Sequence, residues 1–306
     1  MSSSSLLINM CEGALASCGA TLFSNPFEVC KIRLQLQGEL QRAGHYTVHY
    51  HGLLDCLFKT ATNEGLRGLQ RGLGTSLVHQ SVLNGIRLGG YQPLKLRIQD
   101  AVGVEGHIVN VVAGATMGVV GAFCGSPLFL VKTRLRARSS VVAVGVQHSY
   151  RGLFHALSTI AREKGVRGLY HGSRMVCVRT AFGSAAQLPS YDASKSAAVR
   201  WTGLHETDVK VHIFSSCVGS MVTVGVMNPF DVITTRCYNN DSHAYQRGWL
   251  SSMQQIVAVE GLPGLYKGSM ALWSRLAPHT IITFVLLEKV RSGHLFGYSP
   301  LIGLKE

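Results

Sequence analysis

The sequence predicts an all-α membrane protein, with six transmembrane helices in three tandem repeats of about 100 residues each, short helices between the members of each pair, and closure into a pseudo-threefold barrel. Three observations carry this. The composition is too apolar and too poor in charge for a soluble chain, a proline-centred motif recurs three times in register, and arginines sit inside the apolar stretches.

Apolar residues fill 46% of the 306 positions and charged residues only 15%, with a mean hydropathy of +0.20. Soluble domains carry roughly 25% charged residues. The 34 glycines suit membrane helices that approach closely. A net charge of +13 fits anionic lipid, an acidic substrate or nucleic acid. A nucleic-acid-binding protein would carry that charge on soluble surfaces, so no nucleic-acid partner is expected. Cys11, Cys18, Cys30, Cys56, Cys124, Cys177, Cys217 and Cys237 are thinly spread, mostly in apolar runs, and read as reduced core residues. Met1 and the serines after it form neither a basic leader nor an Arg-rich presequence, so any organelle address is expected to be internal. There is no Gly-rich phosphate loop, no His-Glu-x-x-His and no Gly-x-Ser-x-Gly, and hence no sign of an enzyme or a cofactor. His45, His49 and His51 lack a companion cysteine or carboxylate pair at metal-ligand spacing, so no metal is expected.

The first landmark reads Pro26-Phe27-Glu28-Val29-Cys30-Lys31-Ile32-Arg33, Pro127-Leu128-Phe129-Leu130-Val131-Lys132-Thr133-Arg134 and Pro229-Phe230-Asp231-Val232-Ile233-Thr234-Thr235-Arg236, its prolines 101 and 102 residues apart. A second follows in step: Glu64-Gly65 to Gly72, Lys164-Gly165 to Gly172, and Glu260-Gly261 to Gly268. Repeat 1 is assigned residues 1–105, repeat 2 residues 106–205 and repeat 3 residues 206–306, together one integral domain.

Each repeat reads as an apolar segment ending in the proline motif, a polar stretch with a short amphipathic helix, and a second apolar segment. The odd helices are predicted over Leu6–Gln37, Ile108–Arg138 and Val209–Tyr238, the even ones over Gly74–Gln99, Arg174–Arg200 and Ser269–Ser292. At about 1.5 Å per residue each can cross about 30 Å of hydrocarbon. Gly13 and Ser17, Gly114 and Gly118, and Ser216 and Ser220 stand thirteen and nine residues before the three prolines, as small-xxx-small pairs suited to close packing. Arg87, Arg179 and Arg275 fall inside the even spans, where facing lipid costs at least roughly 2.5–3.5 kcal/mol each. They are expected to face a water-filled interior.

These motifs resemble the mitochondrial carrier family over nearly the whole chain. The strings of repeats 2 and 3 are similar to its oxaloacetate-carrier branch. The resemblance implies a matrix gate in which the acid of one repeat pairs with the base of the next. Glu28 is then expected to pair with Lys132 and Asp231 with Lys31, while Phe129 and Thr234 form no ion pair, and Gln35 falls where a bracing glutamine supports such a gate. The family's cytoplasmic gate maps onto Tyr91-Gln92 with Lys95, Tyr191-Asp192 with Lys195, and Leu287-Glu288 with Arg291. Cyclic pairing would join Asp192 to Arg291 and Glu288 to Lys95, leaving Gln92 opposite Lys195.

The resemblance also implies substrate contacts on the even helices, at His79, Arg179 and Arg275, with Arg87, Gln187 and Thr283 nearer the second gate. Guanidinium forks bind carboxylates in pairs of hydrogen bonds, and no acid is expected near these arginines. Arg179-Thr180 offers charge and a hydroxyl where adenine would need an apolar slot. A dicarboxylate or keto acid such as oxaloacetate, malate or malonate is therefore expected, with sulfate and pyruvate-sized monocarboxylates also open. His79 is either a polar lining residue or a proton carrier. Exchange and proton-coupled transport both stay open, and a proton conductor of the uncoupling type is the alternative on the same fold. Gly72, Gly172 and Gly268 precede helices whose free N–H groups would receive phosphate, which the resemblance reads as cardiolipin sites. It further implies a monomer in the mitochondrial inner membrane with both termini in the intermembrane space.

Overall fold

The computed structural model describes residues 3–42, 44–103, 107–139, 141–203, 209–240, 245, 248–276, 278, 279 and 282. The regular secondary structure of the described residues is helical, with no strand among them. In chain order the helices are α1 (Ser3–Leu36), α2 (Leu53–Leu69), α3 (Leu73–Val102), α4 (His107–Cys124), α5 (Ser126–Ala137), α6 (Leu153–Leu169), α7 (Ser173–Thr202), α8 (Val209–Asn239), α9 (Trp249–Glu260) and α10 (Leu262–Leu265). Residues 269–276 are helical again, where the sixth long helix is expected to begin.

α1, α3, α7 and α8 are 34, 30, 30 and 31 residues long, beyond the ~20 needed to span hydrocarbon. Among the described residues only 213–239 pass a test of both length and apolarity alone; Val109–Cys124 and Ser126–Ala137 pass jointly, bent by 62°. The polar and charged residues of the even helices hold their hydropathy down. On α8 the exposed Phe214, Val218, Met221, Val222 and Val226 recur every one to four residues and leave an apolar stripe of the kind that lipid covers.

Repeat 2 departs from the single helix expected over Ile108–Arg138, because the chain breaks at Gly125 into α4 and α5. Proline is the physical reason: Pro127 has no N–H to offer the carbonyl four residues earlier, and its ring crowds that turn. Pro26 and Pro229 carry the same deficit inside α1 and α8, yet those helices continue through it.

The second half of each odd helix packs against the short helix that follows. Cys30 meets Tyr50 and Cys56; Leu130 and Val131 cluster with Ala156 and Ile160; Ile233 and Cys237 cluster with Ile256 and Leu265. Full burial of an aliphatic side chain such as Leu130 or Ile160 contributes about 1.5–3 kcal/mol. The acid-glycine element ends this layer. Gly65, Gly165 and Gly261 sit at φ 67°, 67° and 74° with extended ψ, a region closed to residues bearing a Cβ, so the chain turns there. In repeats 1 and 3 the preceding acid then meets the odd helix: Arg33 Nη1 lies 2.7 Å from Glu64, and Arg236 Nη1 and Nη2 lie 2.5 and 2.9 Å from Glu260. Repeat 2 has Lys164 in that place, and Arg134 donates instead to the Tyr150 hydroxyl at 3.0 Å.

The same three arginines join one repeat to the next. Arg33 Nη2 donates to the Arg138 carbonyl at 3.0 Å, Arg134 Nε to that of Tyr238 at 2.9 Å, and Arg236 Nε to that of Gln35 at 3.0 Å. Each guanidinium thus caps the negative, carbonyl-bearing end of the next odd helix in the cycle. Arg71 and Lys267 add bonds to the Arg138 and Gln37 carbonyls at 2.7 and 3.0 Å.

Candidate functional site

Beneath the three prolines the odd helices converge on a buried cluster of charges. Lys31 Nζ lies 3.0 Å from Asp231 Oδ2, joining α1 to α8 as the motif spacing predicts. Gln35, one turn beyond Lys31, donates to the same oxygen at 2.9 Å and accepts from Thr235 at 2.7 Å, which orients its amide. Asp231 is fully buried, and every partner it has is a donor.

The expected Glu28–Lys132 pair does not form. Glu28 Oε2 is bonded by Arg136 Nη1 at 2.6 Å, and Glu28 Oε1 lies 2.7 Å from Arg275 Nε and 3.7 Å from Lys31. Arg136 stands one turn past Lys132 on the same face of α5, and its fork also reaches Asn25 Oδ1 and Ser76 Oγ, each at 2.6 Å. A lysine cannot span three acceptors in this way. Lys132 turns instead toward His79 Nδ1 at 3.4 Å and lies over the Phe129 ring, 4.2 Å from its centroid. An ammonium only donates, so His79 Nδ1 is the acceptor of that contact.

At the third acid–base position an aromatic contact stands in for the ion pair. Phe129 packs on Tyr238 with centroids 5.2 Å apart and meets the edge of His79 at 5.5 Å. The Tyr238 hydroxyl and Ser126 Oγ lie 2.7 Å apart, while Thr234 donates back to the Phe230 carbonyl of its own helix. Gln35, Arg136 and Tyr238 all stand nine residues after their prolines, and each reaches the preceding repeat in the cycle. Sequence reasoning singled out Gln35 and missed the other two, although applying its offset to Pro127 and Pro229 would have found them.

The even-helix arginines differ from expectation in their surroundings. Arg179 Nε lies 2.5 Å from Asp231 Oδ1, and Arg275 has Glu28 beside it, so each already faces an acid. The odd helices bring the motif carboxylates up to the level of these arginines, a vertical register that offsets within one helix do not contain. Arg275 Nε is close enough for charge attraction, but its N–H is not aligned on the oxygen. Both side chains keep some exposure, 14% and 16%, above the 0% of Asp231 and 11% of Glu28. His79 is buried beside this cluster.

Arg87 and Gln187 lie farther along their helices with exposed side chains. Gln187 lines a recess open to solvent, with Tyr191, Ser216 and Thr223. Thr180 turns away from the arginines: its hydroxyl donates to the Val176 carbonyl at 2.7 Å, and its methyl lies over Gly118 of α4, 3.7 Å from where a Cβ would stand. Thr283, Glu288 and Arg291 lie outside the described residues, as does the side chain of Asp192; Lys95 and Lys195 are partly buried on α3 and α7.

Gly72, Gly172 and Gly268 have φ of 72°, 79° and 74°, and the first two cap α3 and α7. A Cβ on them would stand 3.2 Å from Arg136, 2.9 Å from Tyr238 and 3.1 Å from Gln35. These glycines therefore leave room for the side chains nine residues past each proline.

A family model described as mitochondrial carrier protein matches residues 2–101, 104–200 and 206–296. The chain is similar to the mitochondrial citrate transporter E of Aspergillus niger, 41% identical over 281 residues, covering 90% of each protein. It is similar to the mitochondrial oxaloacetate transport protein of Saccharomyces cerevisiae, at 38% over 284 residues, with 90% of this chain and 86% of that one covered. It also resembles the mitochondrial 2-oxoglutarate/malate carrier protein of Bos taurus, at 33% over 286 residues, with 92% and 89% covered. Three family matches in tandem, each holding one copy of the proline motif, establish that this chain belongs to the mitochondrial carrier family.

Proposed function

We propose that the protein carries a small dicarboxylate or keto acid, such as oxaloacetate, malate or malonate, with sulfate a further substrate, across the mitochondrial inner membrane by alternating access. Six spanning helices enclose the path in a pseudo-threefold barrel, with both termini in the intermembrane space. The carrier works as a monomer with cardiolipin at the helix starts that follow Gly72, Gly172 and Gly268. Lys95, Asp192, Lys195, Glu288 and Arg291 close the cytoplasmic side. Glu28, Lys31, Asp231 and Arg136 close the matrix side, with Lys132 held against His79 and Phe129.

One observation carries this reading: two arginines on the even helices each hold a motif carboxylate, Arg179 with Asp231 and Arg275 with Glu28. An entering dianion offers the same chemistry as those two side chains and competes for the same guanidinium groups. Each acid keeps a second partner when its arginine is taken, Asp231 the Lys31–Gln35 pair and Glu28 the Arg136 fork. Neither is stranded as an uncompensated buried charge, which would cost about 3–5 kcal/mol. The substrate is thus exchanged for internal carboxylates, and the contacts from the even helices to the matrix-side cluster loosen as it binds. The misaligned Arg275 contact is the easier of the two to give up. Arg87 and Gln187 line the approach, and His79 serves as a neutral lining residue. The relatives' names support the class, since citrate, oxaloacetate, 2-oxoglutarate and malate all carry at least two carboxylates.

The test is uptake of labelled malate, oxaloacetate, malonate and sulfate into proteoliposomes, with proton flux recorded in the absence of anion. Arg179→Ala and Arg275→Ala should each abolish uptake in folded protein, and the lysine variants should lose most of it because an ammonium lacks the planar fork. Near-normal uptake by both alanine variants would place the substrate elsewhere.

A further inference from the structure

A proline inside a helix leaves the carbonyl four residues before it without its N–H partner. In α1 that carbonyl belongs to Leu22 and in α8 to Gly225, four residues before Pro26 and Pro229. Both are answered by a side chain from the turn that follows the short helix of the same repeat. Gln70 Nε2 donates to Leu22 O at 3.0 Å, and the Tyr266 hydroxyl donates to Gly225 O at 3.2 Å. Gln70 Oε1 is buried without a partner, so the donor end alone sets how this amide is turned. A reciprocal bond completes each contact. The asparagine just before each proline donates to the last helical carbonyl of the short helix, Asn25 to Leu69 O at 3.1 Å and Asn228 to Leu265 O at 2.7 Å.

Repeat 2 has neither bond. The equivalent donor position holds Tyr170, whose ring stacks on the Phe123 ring at 5.1 Å instead of reaching the Phe123 carbonyl. Ser126, just before Pro127, is engaged with Tyr238 of repeat 3. This is the repeat whose odd helix is broken and bent by 62°, while α1 and α8 run through their prolines unbroken. In surroundings poor in water an unanswered carbonyl is costly, so a donor held at that point governs whether the helix stays in one piece.

We propose that Gln70 and Tyr266 are positioning residues, each replacing the hydrogen bond that a proline removes, so that α1 and α8 move as single levers and the odd helix of repeat 2 is the one that flexes at its proline. The donor's chemistry matters in this scheme, and the bulk of the side chain does not.

The test compares Gln70→Leu and Tyr266→Phe, which lose the donor, with Gln70→Tyr and Tyr266→Gln, which exchange one repeat's donor for the other's. Tyr170→Phe is the control, since stacking uses the ring and not the hydroxyl. Two readouts are taken: Vmax and KM for malate uptake in proteoliposomes, and amide hydrogen exchange in the turns around Pro26, Pro127 and Pro229. Loss of either donor should lower Vmax about two- to tenfold, the scale of one net hydrogen bond, with KM within twofold, and should speed exchange around that proline alone. The donor swaps should restore both readouts, and Tyr170→Phe should change neither. If Tyr266→Phe behaves like Tyr170→Phe in exchange and in Vmax, or if the swaps fail to rescue, the proposal is wrong. Exchange does not depend on which anion is carried, so absence of malate uptake would count against the proposed substrate and leave this comparison decisive.

Discussion

Arg136 is the most sharply testable member of the charge cluster beneath the prolines. It is 2% exposed in its side chain and holds Glu28, Asn25 and Ser76, each at 2.6 Å. Replacing it by methionine keeps an unbranched stem against Gly72 and removes every donor. Glu28 is then left with Arg275 and the more distant Lys31, while Asn25 Oδ1 and Ser76 Oγ lose a charged donor. Breaking a buried pair by deleting one partner costs about 3–5 kcal/mol, and for a chain of this length each kcal/mol moves the thermal midpoint by about 2 °C. The midpoint in detergent should therefore fall by roughly 6–10 °C. Transport should change in a particular way as well. A Glu28 that depends on Arg275 competes harder with the substrate, and strengthening that contact by about 1.4 kcal/mol raises KM about tenfold. Arg136→Lys restores the charge without the fork and should fall between the two in both measurements. Unchanged KM in a destabilised Arg136→Met would mean that Glu28 and the substrate do not share Arg275. An unchanged midpoint would mean that the three bonds carry no net stability.

Three further outcomes follow from the same contacts. Glu260→Gln should lower stability by about 3 kcal/mol, read from the thermal midpoint, because Glu260 receives both Arg236 nitrogens, Lys267 and the Leu40 N–H. Burial would raise the Glu64 and Glu260 carboxyls, but Arg33 and Ser139 around the first and Arg236 and Lys267 around the second hold both below the usual carboxylate range. A carboxylate depressed in the folded state stabilises it above the unfolded pKa of about 4.3 and loses that stability as pH falls through the lower folded value. The acid limb of midpoint against pH should accordingly flatten in Glu64→Gln and Glu260→Gln. Phe129→Ala removes a ring packed on Tyr238, His79 and the Lys132 ammonium, which should weaken the proposed matrix-closed state by about 3 kcal/mol; a cysteine at Thr234 should then label faster from the matrix side, and equal labelling would deny Phe129 that role.

Much of the architecture was legible because it repeats. The prolines marked the three odd helices, one of which breaks beside its proline, and the spacing from Pro26 and Pro229 to Lys31 and Asp231 located the ion pair that forms as expected among the described residues. The second partner of Glu28 was not legible from a motif that stops at its first base. Arg136 lies four residues beyond that base, and what selects it over Lys132 is reach: a forked group spans Glu28, Asn25 and Ser76, while a single ammonium settles on an aromatic face. The surroundings of Arg179 and Arg275 were misjudged for another reason. Offsets along α7 locate Arg179 relative to Asp192 but contain no information on the height of α8 beside it, and Asp231 arrives from α8. Thr180 is a case of local chemistry winning, since a helical threonine satisfies its hydroxyl on the carbonyl four residues back and leaves only a methyl to present.

The cyclic arginine caps bear on where the chain can begin. Arg33, Arg134 and Arg236 each close the joint to the following repeat, and the joint from repeat 3 back to repeat 1 is built like the two that the chain itself bridges. A closed ring of like joints has no first member, so the order of synthesis is an accident of where the ring was cut. A circular permutant opened between residues 103 and 107, with its old ends tied by a flexible linker, retains all three caps and should transport. A chain ending before Arg236 leaves the Gln35 end of α1 without its guanidinium cap, so repeat 1 acquires this bond only once repeat 3 has been made.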